Sequence, residues 1–382
     1  MAVNVKDAPY NAIGNGVAND TAAIQSAINS LGTNGGTIYF PAGTYRVTSL
    51  NLPNQGVQLR GDGWTASRIS GSTQGVNIIH VTGNSCGIEG LQIGFAGATP
   101  PTIASVAIYL RGCNDTSLRH FKIENTGVGV FLDQGTICMM ESFEMYTFSQ
   151  AGIHANNWID IYATNFTLQA SVGALMGQLA CIYIINGCDA VTMSNADILS
   201  GRNSLRCVGG TGMQYSNFTN IYFDSSIAAP VELVNGKLNR FTNCWFSGGR
   251  TPGAPAAGLL VAGASETEFV NCQFANNGGH GAFVTASSRN TGFNSCLFDS
   301  NSYSAAPGTY HGLAFDPGTQ RFNVANCVFR NGNFTGQQGF GLLINAGSSN
   351  FYRVTNCTFE GNVTAALSDG GTGQTKVLTG NF

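Results

Sequence analysis

The chain has 382 residues, of which 51 are glycine, and only 10% of them are charged, against about 25% in an average soluble protein. The 17 Lys and Arg and 20 Asp and Glu give a net charge of −3, which argues against a protein that binds nucleic acid by neutralising phosphates. So few charges cannot cover the exposed faces of many helices, so the composition excludes a mainly helical protein and favours a turn-rich β protein.

The first predicted element is a helix near the amino terminus. After Asn19 and Asp20, apolar residues recur at helical spacing, and Asn and Asp are favoured at helix starts. We expect a helix at about residues 20–31 that covers the open apolar end of a strand stack, as terminal caps of repeat proteins do. Short strands follow it. Residues 1–63 are therefore expected to form the cap and first strands, and residues 64–382 to continue the same domain.

A short motif recurs through the rest of the chain. It is clearest in FTNCWF (241–246), FVNCQF (269–274) and VTNCTF (354–359), and it extends backwards when any apolar residue replaces Cys. Each copy is accompanied by a second short strand that often ends at glycine. A period of about 22–31 residues with two or three strands per copy predicts an all-β parallel solenoid of about eleven turns or more.

Stacked turns place equivalent residues in columns about 4.8 Å apart. We expect one column of asparagines to point inward and to hydrogen-bond at each bend. A column of cysteines is expected to be structural and reduced, because parallel Cβ vectors in a packed ladder disfavour disulfides. The asparagines are Asn165, Asn195, Asn220, Asn243, Asn271, Asn326 and Asn356, and the cysteines are Cys244, Cys272, Cys296, Cys327 and Cys357.

The opening of the chain resembles the pectate-lyase-like superfamily of parallel β-helices. The segments that carry the resemblance are VNVKDAPYNAIGNGVANDTAAIQSAINSL, GGTIYFPAGTYRV and GVQLRGDG. It implies a single-stranded right-handed parallel β-helix with an N-terminal capping α-helix. From YFDSS (222–226) onward, the chain is most similar to the shafts of bacteriophage tailspike and tail proteins. That similarity implies a homotrimer that binds, and often cuts, bacterial surface polysaccharides.

Outward residues of a solenoid have no packing role, so polar and aromatic residues that cluster there indicate a ligand site. One outward column places aromatic residues on adjacent turns, where their flat faces can stack on sugar rings. Carboxylates lie along the same face, and glycoside hydrolysis needs an acid and an ionised carboxylate. The candidate catalytic residues are Asp197, Asp224 and Glu144, and the candidate substrate-binding residues are Tyr222, Trp245, Lys122 and Arg250.

Two carboxylate pairs fit the geometry of glycoside hydrolysis. Glu144 and Asp197 are two turns apart, or about 9.6 Å, near the separation of inverting enzymes. Asp197 and Asp224 are on adjacent turns, at about 6–8 Å. Both pairs remain open at this stage, as does the alternative that these carboxylates only keep the protein soluble.

A second outward column is polar in its first half and apolar in its second half. The polar half is either a second catalytic candidate shared between subunits or an interfacial hydrogen-bond network. We expect the apolar half to be exposed on a single chain and to become buried when three chains pack as a homotrimer. The polar residues are His154, Tyr183, Arg206 and Glu232, and the apolar ones are Leu260, Phe283 and Leu343.

Metal-dependent chemistry and export receive no support from the sequence. The stretch around His280 resembles a polygalacturonase signature, but the other parts of that signature are missing, so we interpret His280 as a turn residue. No turn stacks several Asp as a calcium cluster requires, so we expect neither a metal nor another cofactor. The first residues lack the apolar stretch of a signal peptide. The resemblance to tail proteins implies a location in a virion tail, or otherwise outside the cell.

The sequence thus predicts a polysaccharide depolymerase that uses paired carboxylates. Hydrolysis is favoured over β-elimination because the groove offers carboxylates and aromatic rings without a Lys/Tyr pair on one turn. A non-catalytic structural or glycan-binding tail protein, or an adhesin, is the alternative, and a polysaccharide lyase is a further one. We expect neither nucleic acid nor membrane as a partner.

Overall fold

The computed structural model describes residues 2–97, 101, 105–171, 179–249, 257–332 and 334–382. It has 57% of its residues in strands and 4% in helix and forms a parallel β-solenoid of about 14 turns. The predicted fold class is confirmed. The chain divides into two compact units, Met1–Tyr183 and Ile184–Phe382, while the boundary expected between residues 63 and 64 stays a prediction. No helix in the described part of the chain is long and apolar enough to cross a membrane.

The predicted helix is present in the first unit as α1, Thr21–Ser30, and a 3-10 turn follows it at Gly32–Asn34. Its apolar face is buried, which fits the expected capping role. Asp20 occupies the N-cap position, but its side chain makes no hydrogen bond to the helix. Its carboxylate instead accepts the backbone N–H groups of Ile13 and Gly14. The buried helix residues are Ile24, Ala27 and Ile28.

The strands of the first unit form three parallel stacks. Their bounds are β1 Ala2–Asn4, β2 Asn15–Asn19, β3 Gly36–Phe40, β4 Gly43–Val47, β5 Leu50–Leu52, β6 Val57–Gly61, β7 Ser67–Gly71, β8 Asn77–Val81, β9 Gly87–Glu89, β10 Gln92–Phe95, β11 Val106–Arg111, β12 Asn114–Asp133, β13 Thr136–Asn156 and β14 Ile159–Ala170, and β15 (Ile182–Ile185) begins at the end of this unit. The long strand β12 joins all three stacks, because it pairs with β9, β10 and β11 along its length. β13 follows β12 in register almost throughout.

The second unit repeats the same arrangement with shorter strands. Their bounds are β16 Asp189–Leu199, β17 Leu205–Val208, β18 Asn217–Ser226, β19 Val231–Val234, β20 Arg240–Thr242, β21 Trp245–Gly248, β22 Ala257–Ala262, β23 Glu268–Val270, β24 Gln273–Ala275, β25 His280–Val284, β26 Gly292–Asn294, β27 Leu297–Asp299, β28 Leu313–Phe315, β29 Asn323–Ala325, β30 Val328–Arg330, β31 Phe340–Gly347, β32 Tyr352–Thr355, β33 Thr358–Glu360, β34 Ala365–Gly371 and β35 Lys376–Thr379. β21, β24, β27, β30 and β33 form one continuous parallel stack.

The repeated motif folds as strand, bend and strand. In FTNCWF, Phe241 lies in β20, Asn243 makes the bend and Phe246 lies in β21, with Phe241, Cys244 and Phe246 buried. Equivalent phenylalanines stack across turns, with ring centroids 4.8 Å apart for Phe274 and Phe298. Each such pair contributes about 0.5–1.5 kcal/mol beyond the area it buries. All eleven cysteines are buried, as expected for a structural column.

The asparagine ladder exists, but the expectation that it points inward was wrong. Asn243 donates to Asn220, and Asn271 donates to Asn243, at 3.2 and 2.8 Å, while all the predicted members are exposed. Each of them has a φ near +55°, a left-handed conformation that Asn tolerates better than most residues. The bend therefore selects Asn for its backbone, and the side chain points to solvent.

The requirement for this backbone conformation gives the first prediction. Asn243→Ala should destabilise the protein by about 1 kcal/mol more than Asn243→Gly, because the Cβ of Ala makes the left-handed conformation unfavourable and Gly has no Cβ. Both variants lose the same two ladder hydrogen bonds, so Gly is the matched control. Urea unfolding measures the difference, and equal losses for the two variants would contradict this account.

Two histidines in the second unit serve as hydrogen-bond acceptors for the neighbouring turns. His280 begins β25, so the sequence-based interpretation of it as a turn residue was wrong. Its Nδ1 accepts the N–H of His311, and Nδ1 of His311 accepts the N–H of Phe340. Although both residues are partly exposed, burial lowers the pKa of His280 to about 3 and that of His311 to about 4. The fold therefore holds both imidazoles neutral.

These low pKa values predict acid sensitivity. Below about pH 6.5 the unfolded chain takes up protons that the folded chain does not, so the free energy of unfolding should fall as the pH drops from 6.5 towards 4. The slope is up to about 1.4 kcal/mol per pH unit for each histidine. In His311→Asn the amide oxygen can still accept the N–H of Phe340 but does not titrate, so urea unfolding at several pH values should give a flatter profile. An unchanged profile would refute the assignment.

Candidate functional site

A dense group of polar side chains lies on the outer face of the first unit. Lys122 and Glu124 are on β12, Glu144 and Tyr146 are on β13, and Gln92 is on β10. Parallel pairing aligns Gln92, Lys122 and Glu144 in one column and Glu124 and Tyr146 in the next. Because side chains alternate along a strand, residues two apart share a face. We call these five residues the Lys122 cluster.

The ammonium group of Lys122 lies between two carboxylates. Its Nζ is 2.7 Å from Oε1 of Glu124 and 3.8 Å from Oε2 of Glu144. These two oxygens are thus at most about 6.5 Å apart, the sum of 2.7 and 3.8 Å. The Nζ atom also lies 5.1 Å from the centre of the Tyr146 ring, and Gln92 donates to Glu124 at 2.7 Å.

The electrostatics of this cluster fix the charge of Lys122. The hydrogen bond to Glu124, with the charges of Glu124 and Glu144, raises the pKa of Lys122 against the opposing effect of burial. Lys122 is therefore an ammonium ion at neutral pH. The side chains of Lys122, Glu124 and Glu144 are 26%, 28% and 37% exposed, so a ligand can reach all three.

The second unit carries a different outward face, in which aromatic rings predominate. Asp197 of β16, Tyr222 of β18 and Trp245 of β21 are in register on successive strands. Asp224 follows Tyr222 by two residues and shares its face. The Tyr222 and Trp245 rings are 6.5 Å apart, and Trp245 meets Phe334 edge to face at 6.3 Å. We call Tyr222, Trp245 and Phe334 the aromatic platform.

The predicted groove residues occur in both units. Glu144 and Lys122 come together in the first unit. In the second unit, Asp197, Asp224, Tyr222 and Trp245 lie on one face, in register or as near neighbours. Arg250 lies outside the described residues, and the catalytic and binding roles of the other six stay predictions.

The second predicted cluster has residues in both units. In the first unit, His154 stacks on Phe131 with ring centroids 4.3 Å apart and contacts Tyr183 at 5.1 Å. Burial lowers the pKa of His154 to about 4. In the second unit, Arg206 and Glu232 form an ion pair at 2.9 Å. A catalytic role for these residues also stays a prediction.

The apolar stripe of the second unit is a true column, but its side chains are only partly exposed. Parallel pairing places Leu260 beside Phe283 and, across Ala314, Leu343. The three large side chains have intermediate burial, and Ala314 is buried. The stripe is thus less exposed than expected, and the trimer stays a prediction.

Sequence reasoning missed Glu124, Tyr146 and Phe334. The first two stand two positions after Lys122 and Glu144, so the period of two in a strand could have found them. Phe334 follows β30 in a loop, and no sequence pattern indicates that this loop reaches Trp245.

Sequence comparison matches this chain to a family model and to part of a curated protein. Residues 2–232 match the family model "Rhamnogalacturonase A/epimerase, pectate lyase-like". A curated relative, mannuronan C5-epimerase AlgE5 of Azotobacter vinelandii, is 51% identical over 57 residues, which make up 15% of this chain and 6% of that protein. The chain thus spans only a small part of the length of this relative.

Solved structures share the fold at low sequence identity. The N-terminal fragment of gene product 12 of bacteriophage Phi29 has a TM-score of 0.69 at 15% identity, with 99% of this chain and 71% of that one covered. The catalytic unit of an α-1,3-glucanase from Streptomyces thermodiastaticus has a TM-score of 0.53 at 15% identity, covering 100% and 68%. At identities this low, the TM-scores establish a common fold and nothing more.

Proposed function

We propose that this chain, which belongs to the rhamnogalacturonase A/epimerase, pectate lyase-like family, binds a polysaccharide and hydrolyses its glycosidic bonds at the Lys122 cluster. Fold alone does not define a reaction, so the proposal depends on the site. The observation that carries it is the pair of carboxylates, Glu124 and Glu144, held at most about 6.5 Å apart by one ammonium group.

The two carboxylates occupy different environments, as an acid and its ionised partner require. Glu124 has the closer contact with Lys122 and accepts a hydrogen bond from Gln92, so its oxygens are held in place by two donors. We assign Glu124 as the nucleophile or base. Glu144 is farther from Lys122 and more exposed, and we assign it as the acid that protonates the leaving oxygen.

The separation of the carboxylates favours one stereochemical course. Retaining enzymes hold their carboxyl groups about 5–5.5 Å apart, and inverting enzymes about 6.5–9.5 Å. The upper bound of about 6.5 Å reaches only the lower limit of the inverting range, so we propose retention. Glu124 then attacks the anomeric carbon while Glu144 gives its proton to the departing oxygen, and water activated by Glu144 later releases the sugar from Glu124.

A lyase reaction is the second candidate, and the contact between Lys122 and Tyr146 is the observation that favours it. The sequence analysis found no Lys/Tyr pair on one turn, but these two residues meet across adjacent turns. β-Elimination needs a base that removes a proton from the sugar. The raised pKa of Lys122 keeps it protonated at neutral pH and unsuited to that role, so hydrolysis is preferred.

We further propose a setting for this activity. The shared fold with gene product 12 of bacteriophage Phi29 and the resemblance of the later half to tail proteins support a homotrimer in a virion tail. The stripe of Leu260, Phe283 and Leu343 supplies a candidate subunit contact, and a bacterial surface polysaccharide is the proposed substrate. A non-catalytic tail protein would carry the same fold and would release no product.

The Lys122 cluster predicts the effect of removing either carboxylate. Glu124→Gln and Glu144→Gln should each lower the rate of reducing-end release from bacterial capsules, O-antigens or pectins by about 100-fold or more, the usual contribution of acid or base catalysis. Glu141→Gln is the matched control. Glu141 lies on β13, the strand of Glu144, and is paired with Arg119 at 3.9 Å.

Three outcomes would contradict this assignment. Full activity in Glu144→Gln would exclude the pair. Loss of activity in Asp197→Asn, with Glu124→Gln unaffected, would move the reaction to the second unit. A rise in ultraviolet absorbance from an unsaturated product would establish the lyase reaction instead.

A further inference from the structure

The rings of the aromatic platform are spread over the surface, unlike the rings of the core. Core phenylalanines stack almost in parallel, with Phe274 and Phe298 at 4.8 Å and 10°. Tyr222 and Trp245 are 6.5 Å apart and tilted by 36°, so neither ring covers the face of the other. Tyr222 is 56% exposed and Phe334 is 40% exposed. The platform thus exposes aromatic surface to solvent, which packing alone does not require.

An anchored loop brings Phe334 to the platform. Asp299 is 1% exposed and receives Nε of Arg330 at 3.1 Å and the N–H of Gly332 at 3.1 Å. The hydroxyl of Ser300 accepts the N–H groups of Gly332 and Phe334 at 3.0 and 3.3 Å. These bonds fix the start of the loop, so Phe334 is held in place before any ligand arrives, which lowers the entropic cost of binding.

Two carboxylates lie beside the rings and indicate which ligand fits. Asp197 is the register neighbour of Tyr222, and Asp224 is on the same face. Carboxylates accept hydrogen bonds from hydroxyl groups, and flat aromatic faces pack against the apolar faces of sugar rings. The same carboxylates repel an acidic sugar. A neutral, hydroxyl-rich glycan therefore matches this face.

We propose that the aromatic platform binds a neutral glycan and holds a polysaccharide without cutting it. Asp197 and Asp224 contact sugar hydroxyls there, and the loop anchored by Asp299 and Ser300 sets the third ring. This binding does not depend on hydrolysis at the Lys122 cluster.

Affinity gel electrophoresis tests the proposal on the full chain. The Glu144→Gln background keeps the polysaccharides intact. Dextran, laminarin and mannan are the neutral probes, and alginate and polygalacturonate are the acidic ones. We expect at least one neutral probe to retard the protein, and Phe334→Ala to weaken that retardation about tenfold, as loss of one central aromatic contact does. Tyr222→Ala should act in the same direction.

Phe351→Ala is the matched control. Phe351 is 49% exposed in the same unit and packs against Arg321. It should leave the retardation unchanged, and the thermal midpoints of all variants should stay close to that of the parent. Equal effects of Phe334→Ala and Phe351→Ala would overturn the proposal. So would retardation by the acidic probes alone, or by no probe.

The same experiment separates this inference from the proposed function. If neutral glycan binds through Phe334 but the wild-type protein releases no reducing ends, the platform stands and the hydrolase assignment falls. If the wild-type protein cleaves a polysaccharide and Phe334→Ala binds the neutral probes as the parent does, the hydrolase assignment stands and the platform falls.

Discussion

Parallel stacking of short turns is the constraint from which the rest of this structure follows. Each strand pairs with its counterpart about 4.8 Å away, so equivalent residues of neighbouring turns are forced into columns. Inward columns bury rings and thiols, and outward columns have no packing role. The bends between strands must adopt a left-handed backbone at every turn, and Asn meets that requirement with its side chain in solvent. The regular stacking of turns therefore determines which residues form the core, which form the bends and which reach the surface.

The same rule explains how distant residues form a site. Lys122 and Glu144 are far apart in sequence, yet register places them side by side, and the period of two within a strand adds Glu124 and Tyr146. Because each residue is fixed by a sheet, the charges are arranged before substrate binds, which is the condition for electrostatic catalysis. An isolated surface ion pair contributes little to stability. Two carboxylates that share one ammonium group on an accessible face are more readily explained by a catalytic role than by a contribution to folding stability.

The sequence predicted the solenoid, the capping helix and the buried cysteine column, because a repeat of period about 22–31 residues leaves few other folds. It misplaced the asparagine side chains, since the pattern reveals that Asn is required but not whether its backbone or its amide is the reason. It found Lys122 and Glu144 but missed Glu124 and Tyr146, which lie two positions further along the same strands and therefore on the same face. Phe334 could not be found, because a loop held by Asp299 and Ser300 positions it and such tertiary contacts leave no periodic signal.

A crystal structure of Glu144→Gln with an oligosaccharide that the wild-type protein cleaves tests the central claim most directly. The account predicts that the scissile glycosidic oxygen lies within hydrogen-bonding distance of the new amide, with the anomeric carbon facing Glu124 and Lys122 nearby. Further sugar density on Tyr222, Trp245 and Phe334 agrees with it. A scissile bond placed between Asp197 and Asp224, with no sugar at the Lys122 cluster, would contradict it.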